Sequence, residues 1–254
     1  MNSTRHSLWM RFTESVRRGD VLERLWAHLT YTPESELEPL LRRLLGSMRN
    51  PVIFEFGACH GNECRMLCGM LTSPFSAYFA WEPDPRTLLR IHARGLPAGV
   101  VLVEAAVGAT DGKATFHLSE GYEEGSTDCH TYSSSIVPPS GELKKWFPWM
   151  QFKAAVEVNV RSLDSFCLEH KIDHIDFIWA DIQGAERYML EGGRESLKQT
   201  KYMYIEQTVY RYYEGQWTYR EMVRALKADW KVAYRFPNDV LLYNKNLVPH
   251  GPPK

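Results

Sequence analysis

Short apolar runs alternate with helix-periodic stretches over most of this chain, and that alternation predicts an α/β fold built on an open sheet. Candidate strands fall at 52–56, 77–81, 100–105, 175–180, 202–206, 230–235 and 239–244. Helix-compatible segments separate most of them. Pro237, Asn238 and Asp239 alone join the last two, which predicts a hairpin. Residues 1–50 read as a helical extension to one core domain over 51–254. Leu8, Trp9 and Phe12, then Leu22, Leu25, Trp26 and Leu29, suggest its first helices. Thr32-Pro33-Glu34 predicts a later helix start, with threonine as the cap and proline in the first turn. Leu37, Leu40, Leu41, Leu44 and Leu45 then form one apolar stripe. These helices pack on the sheet, roof its site or make a homodimer contact. Residues 113–162 interrupt the alternation. Thr115–Leu118 and Val156–Val160 predict strands that pair locally, with a long segment between them. A loop this long reads as a lid or insert.

The richest stretch is Asp181-Ile182-Gln183-Gly184-Ala185-Glu186. It follows the apolar run from Ile175 to Ala180, which predicts a buried parallel strand. Its acidic residue therefore stands at the carboxyl end of a strand, where open α/β sheets bind ligands. The plainer reading of Asp181 is a cap for the helix starting near Gly184. Two upstream joints shift the balance. After the strand 52–56 come Gly57, Ala58, Cys59, His60 and Gly61, a strand–glycine loop–helix opening. The spacing lacks the G-x-G-x-x-G of dinucleotide sites. Glu55 adds negative charge beside the loop. That suits a cofactor with an ammonium group, such as S-adenosylmethionine (SAM), better than one with phosphates. The other joint is Trp81-Glu82, followed by Pro83-Asp84-Pro85 opening a helix. Glu82 stands 25 residues after Gly57, close to the roughly 20-residue offset at which an acidic side chain holds a ribose diol.

Glu55-Phe56-Gly57-Ala58, Gly61, Trp81-Glu82-Pro83, Ala105-Ala106-Val107-Gly108, Ser134-Ser135, Leu163-Asp164 and the Asp181 hexapeptide occur in one order. In that order the chain resembles FkbM-like SAM-dependent methyltransferases, over roughly residues 50–210. The family typically has Asp-x-Gly-Ala-Asn in the first loop. Here Glu55 replaces the aspartate and Cys59 stands where asparagine is expected. The resemblance implies a Rossmann-like class I methyltransferase fold, with a mostly parallel seven-stranded sheet flanked by helices and one antiparallel strand near its end. It implies O-methylation of a hydroxyl, often on a sugar or polyketide. Glu55, Gly57, Ala58, Gly61, Glu82, Ala106 and Ser135 are the implied cofactor-binding residues.

Methyl transfer from a sulfonium needs nucleophile, methyl and sulfur held in line, and a hydroxyl acceptor must lose its proton. Asp181 is the candidate catalytic base. An ordinary aspartate, with a pKa of about 3.9, is a weak one. A divalent Mg²⁺ or Mn²⁺ is the other solution, because it lowers the acceptor's pKa. Asp181, Glu206 and Gln207 resemble the oxygen ligands of metal-dependent catechol-type methyltransferases. Tyr122, Tyr132, Trp146, Phe147, Trp149 and Phe152 anchor the insert or stack on an acceptor. Tyr210, Tyr212, Tyr213, Trp217 and Tyr219 line the acceptor mouth or pack a helix starting near Thr218. Two other classes stay open: a nicotinamide-dependent oxidoreductase and a non-catalytic scaffold with the SAM fold.

Composition narrows the partners. With 254 residues, 44% of them hydrophobic, the chain suits one substantial core. A net charge of −1 provides no basic field for nucleic acid or anionic membrane. No run approaches the roughly 20 apolar residues of a transmembrane helix, and no apolar signal core opens the chain. The five cysteines have no matching zinc-finger histidine pair and read as reduced thiols. The expectation is a cytoplasmic enzyme acting on a small-molecule hydroxyl acceptor.

Overall fold

Val52–Phe56 and Ile175–Ala180 are buried at every position. Strands apolar on both sides need cover on both faces, and their neighbours supply it. The computed structural model describes residues 31–122 and 129–253. Its main sheet has seven strands in the order β3-β2-β1-β7-β8-β10-β9. They are β1 (Val52–Phe56), β2 (Ala77–Trp81), β3 (Val100–Val103), β7 (Ile175–Ala180), β8 (Thr200–Glu206), β9 (Trp230–Arg235) and β10 (Asp239–Asn244). All neighbours run parallel except β10, which is antiparallel to both β8 and β9. The predicted hairpin and single reversed strand are both present. β3 stops at Val103, short of 105. A tight turn there, Ala105 N–H to the Val103 carbonyl at 2.9 Å, redirects the chain into a second sheet.

That sheet has the order β4-β6-β5, from Ala106–Val107, Gln151–Arg161 and Gly112–Glu120. Thr115 pairs with Glu157 and Phe116 with Val156, the local pairing that the pattern predicts. The chain between β5 and β6 carries helix α4 (Gly141–Trp146). Val137, Leu143 and Met150 form a small core there with Ala185 and Tyr213, flanked by Phe147, Trp149 and Phe152. Those three aromatics anchor the insert.

Helices α1 (Leu37–Gly46) and α2 (Asn62–Cys68) cover one face of the main sheet, and α5 (Leu163–His170), α6 (Glu186–Gly192) and α7 (Tyr219–Leu226) cover the other. The stripe Leu40, Leu41, Leu44 and Leu45 of α1 packs on Ile53, Phe177 and Tyr204. The expected Thr32 cap is not formed. A 3₁₀ turn at Glu34–Glu36 precedes α1 without a side-chain cap, and the Thr32 N–H instead donates to the Arg235 carbonyl at 2.7 Å. The helices expected within residues 1–30 lie outside the described residues. Helix α3 (Pro85–Arg94) starts as predicted, with proline in its first turn, and the Asp84 side chain caps it. Among the described residues no helix is long and apolar enough to cross a membrane. All five cysteines are free.

The chain runs outward through β1, β2 and β3, then returns to lay β7 against β1. Ligands bind at such a switch point, and here the two loops leaving it touch. The Asp181 N–H donates to the Phe56 carbonyl at 3.0 Å. Gly57 has φ +88°, and a Cβ on it would stand 2.0 Å from the Asp181 carbonyl oxygen. So Gly57 is required first by the protein's own backbone, not only by a ligand's approach.

Period two along β1 sends Phe54 and Phe56 to one face and Ile53 and Glu55 to the other. Glu55 is fully buried, accepts from the Tyr78 hydroxyl at 2.7 Å, and leaves its Oε1 without a partner. Burial pushes its pKa from 4.5 to about 8.

Two predictions follow from this geometry. Gly57→Val lowers the thermal midpoint and cofactor affinity together, read by scanning calorimetry and ligand titration. A variant of normal stability overturns the close-approach account. For Glu55, the folded state holds the proton more tightly than the unfolded chain. Its contribution to stability is full below pH 4.5 and lost as pH rises through about 8. Denaturant titrations from pH 5 to 8 should show falling stability, with a slope of at most about 1.4 kcal/mol per pH unit from one group. Glu55→Gln removes that part of the slope; an unchanged slope assigns it elsewhere.

Candidate active site

A cavity of about 290 Å³ opens at the carboxyl ends of β1, β2 and β7. Gly57, Cys59, His60, Glu82, Asp84, Ala106, Ser134 and Asp181 are among its walls. Three of the expected cofactor residues, Gly57, Glu82 and Ala106, therefore reach it. Glu55 does not, because strand alternation turns it to the α1–α2 face. Ala58 is buried in the core on that face. Gly61, at φ +69°, packs against Leu96 and the Arg65 side chain and starts α2. Ser135 is buried and accepts from the Val137 N–H at 3.0 Å, so its neighbour Ser134 lines the cavity instead.

The two upstream joints are tied together by Glu82. One carboxylate oxygen accepts the Cys59 N–H and the other the Asp84 N–H, each at 2.7 Å. Burial raises its pKa to about 8 against the pull of those two donors. Cys59 takes φ +47°, a conformation asparagine adopts more readily than cysteine. Burial and the Glu82 charge push its thiol up to about 12, so it stays protonated. Arg86 holds both Asp84 oxygens, at 3.0 and 2.6 Å, and donates to Ser134 Oγ at 3.0 Å. That guanidinium fastens the insert to the start of α3. Trp81 Nε1 and Thr131 Oγ1 are buried without a hydrogen-bond partner, and both residues line the cavity. Unpaired polar atoms in a cavity wall are places where a ligand can bond.

The Asp181 hexapeptide is built from interlocking parts. Asp181 does not cap α6: that helix begins at Glu186, and no side-chain cap is formed. Glu186 instead accepts the N–H groups of Ile182 and Gly184, each at 3.3 Å. Gln183, at φ +53°, donates from Nε2 to Asp181 Oδ1 at 2.6 Å and to Glu206 Oε2 at 3.1 Å. The Tyr213 hydroxyl lies 3.1 Å from Gln183 Oε1 and 2.7 Å from the Ser133 carbonyl oxygen. Gly184, at φ +90°, leaves room for Tyr213, whose Cβ would be 2.6 Å from an added Cβ. Asp181 is exposed to the cavity and otherwise enclosed by protein, and that burial raises its pKa. Burial, then the Asp181 charge, pushes Glu206 well above the carboxylate range. Their interaction lowers Asp181 and raises Glu206, so Asp181 is the first of the pair to give up its proton. Burial and the Asp181 charge also lift Asp239 to about 7.

This arrangement does not fit the expected metal site. Gln207 turns away, donating to the carbonyls of Phe236 and Pro237 at 3.3 and 3.4 Å. The Gln183 amide N–H group, which repels a cation, contacts both remaining carboxylates. No cluster of three or more His, Cys, Asp or Glu able to hold a metal occurs among the described residues. Of the described aromatics between β5 and β6, only Tyr132 lines the cavity. Trp146 packs near Tyr210 and Phe147 near Tyr212, with ring centroids 5.3 and 5.6 Å apart. The sequence points to Ser135 rather than Ser134, offers Tyr213 only among five aromatics that line the acceptor mouth or pack a helix, and gives Gln183 no role of its own. Gln183 lay inside the hexapeptide and was readable there. Tyr213 was one tyrosine in a run, and no sequence spacing links it to Gln183.

Comparison with known proteins shows the family and the fold. The family described as Methyltransferase FkbM domain matches residues 55–236. The 2-O-methyltransferase NoeI of Sinorhizobium fredii (strain NBRC 101917 / NGR234) is 33% identical over 203 residues, covering 78% of this chain and 81% of that protein. The crystal structure of methyltransferase FkbM from Methylobacillus flagellatus KT superposes with a TM-score of 0.52 at 15% identity. That match covers 88% of this chain but only 51% of the other, so the chain spans about half the length of that structure. It has the same fold. The chain belongs to the FkbM methyltransferase family.

Proposed function

We propose that the chain is a SAM-dependent O-methyltransferase acting on a hydroxyl of a small molecule, a sugar or natural-product acceptor. The observation that carries this reading is Asp181. Its carboxylate opens into the cavity, takes no part in capping α6, and is oriented by Gln183. The named activity of the 33% identical relative, a 2-O-methyltransferase, supports oxygen as the acceptor atom. Residues 51–254 are read as the methyltransferase domain and 113–162 as its lid.

The cofactor supplies a methyl group already activated on a sulfonium. Asp181, the acid of the pair with Glu206 that ionises first, faces the cavity and suits that cation and the cofactor's ammonium group. Glu82 would hold the ribose diol, since each of its oxygens accepts one backbone N–H and keeps a further lone pair. Gly57 and Ala106 would bring backbone and a small side chain close to the cofactor. Asp181 would take the proton from the acceptor hydroxyl as the oxygen attacks, and become neutral. Glu206, already protonated, keeps a second negative charge from forming beside it. Ser134, Tyr132 and Thr131 cover the cavity and limit water access. A nicotinamide enzyme would need the missing glycine fingerprint, and a scaffold has no use for a carboxylate held open to a cavity.

Asp181→Asn keeps the oxygen that Gln183 contacts but removes the charge. Turnover should fall by about 10²–10⁴, with SAM affinity changed only a few-fold, in a radiolabelled methyl-transfer assay and a binding titration. Near-normal turnover would sink the assignment. Because the carboxylates do not fit a divalent ion, wild-type turnover should persist in EDTA. Glu82→Gln leaves the loop one acceptor short and should weaken SAM at least about fivefold, as a buried donor left without a partner costs roughly 1–3 kcal/mol. An unchanged dissociation constant in the folded variant removes Glu82 from the site.

A further inference from the structure

Three arginines gather on one side of the cavity mouth with no carboxylate among them. Arg65 donates to the carbonyls of Gly61 at 2.6 Å, His60 at 3.3 Å, and Gly95. Arg90 Nη1 lies 2.8 Å from His60 Nε2, and Arg94 Nη1 donates to Asn62 Oδ1 at 3.0 Å. His60 and Asn62 both line the cavity. Four other arginines pair with acids: Arg86 with Asp84, Arg161 with Glu169, Arg187 with Glu191 and Arg211 with Glu221. Among the described residues, Arg65, Arg90 and Arg94 make no such pair. Arg90 and Arg94 are exposed, and each has one Nη atom on its loop partner and no other hydrogen bond among the described residues.

The nearby acids are committed elsewhere. Asp84 sits in the fork of Arg86, and Glu82 holds two backbone N–H groups. Glu63 lines the cavity interior. Burial, Arg90 and Arg94 together lower the pKa of His60. The neutral ring then accepts on Nε2 from Arg90 and carries its proton on Nδ1. Tyr132, 47% exposed, stands edge-on to His60 with centroids 5.4 Å apart and lends an aromatic surface beside the cations. The cavity interior is acidic, and its mouth on this side is basic.

We propose that the acceptor carries a phosphate or diphosphate ester, seated on Arg90, Arg94 and His60 while its hydroxyl is methylated at Asp181. This rests on the methyl-transfer reading above. A single carboxylate is matched by one guanidinium fork. Two forks and an imidazole N–H suit an anion with more oxygens and more charge, which a phosphoryl group has. A glycosyl phosphate and a nucleoside diphosphate sugar share this chemistry.

The test is calorimetric titration of inorganic pyrophosphate into the full chain saturated with S-adenosylhomocysteine. Saturable binding is expected, weakened at least tenfold in an Arg90→Ala, Arg94→Ala double variant whose affinity for S-adenosylhomocysteine stays within twofold of wild type. The His60 pKa, followed by NMR, should rise when pyrophosphate binds. No saturable binding at millimolar pyrophosphate overturns the proposal, and so does equal binding by the double variant. A tenfold loss of S-adenosylhomocysteine affinity also overturns it, by assigning the arginines to the cofactor's own carboxylate. Transfer assays then compare a glycosyl phosphate, a nucleoside diphosphate sugar and the neutral glycoside. Preference for either phosphorylated form supports the proposal and identifies its source; equal use of the neutral glycoside overturns it. Failure of the methyltransferase reading itself looks different: wild-type protein takes up no S-adenosylhomocysteine before pyrophosphate is added.

Discussion

The contact between Gly57 and the Asp181 carbonyl is the constraint on which the site depends. β1 and β7 are neighbours in the sheet but far apart in the chain, and their loops meet where the strand order reverses. The meeting is possible because Gly57 has no Cβ and adopts a positive φ. Phe56 receives the Asp181 N–H, and this sets the register of the second loop on the first. The cofactor loop and the catalytic loop are thus one backbone unit. A change that separates them alters both binding and chemistry, as well as stability.

Around that unit the protein has concentrated acid. Asp181, Glu186, Glu206 and Asp239 gather at adjacent strand ends, and burial raises all of them. Four ionised carboxylates could not share so small a space. The conflict is resolved by unequal proton affinity: Glu206 keeps its proton, while Asp181, beside the Gln183 amide and open to the cavity, ionises most readily. Glu186 is used structurally, its oxygen holding two N–H groups of the loop. One acidic residue is therefore left free for chemistry, and the others shape its surroundings.

The insert between β5 and β6 completes this arrangement from above. It has its own small core, and that core includes Ala185 and Tyr213 from the catalytic side. Arg86 fastens it through Ser134, and Tyr213 through the carbonyl of the adjacent Ser133. Closing the cavity and orienting Gln183 are coupled through the same tyrosine. The insert's aromatics are committed to packing, which leaves Tyr132 facing the cavity.

Much was legible in the sequence because it is local. Strand and helix positions follow from periodicity, and a strand end is a place in the sheet wherever the strand goes. Hence Gly57, Glu82 and Asp181 were found at the cavity from their place after apolar runs, and the hairpin from its short turn. What needed the tertiary structure was direction and pairing across the chain. Glu55 and Ser135 stand beside cavity residues in sequence, yet their neighbours Phe56 and Ser134 reach the cavity and they do not. Gln207 follows Glu206, yet its amide bonds to Phe236 and Pro237 and leaves the carboxylates to Gln183. Tyr213 lies 30 residues from Gln183, and only folding sets the two 3.1 Å apart. The physical reason is that propensity and periodicity act over a few residues, whereas a proton shared between two carboxylates depends on distances that the packed fold alone decides.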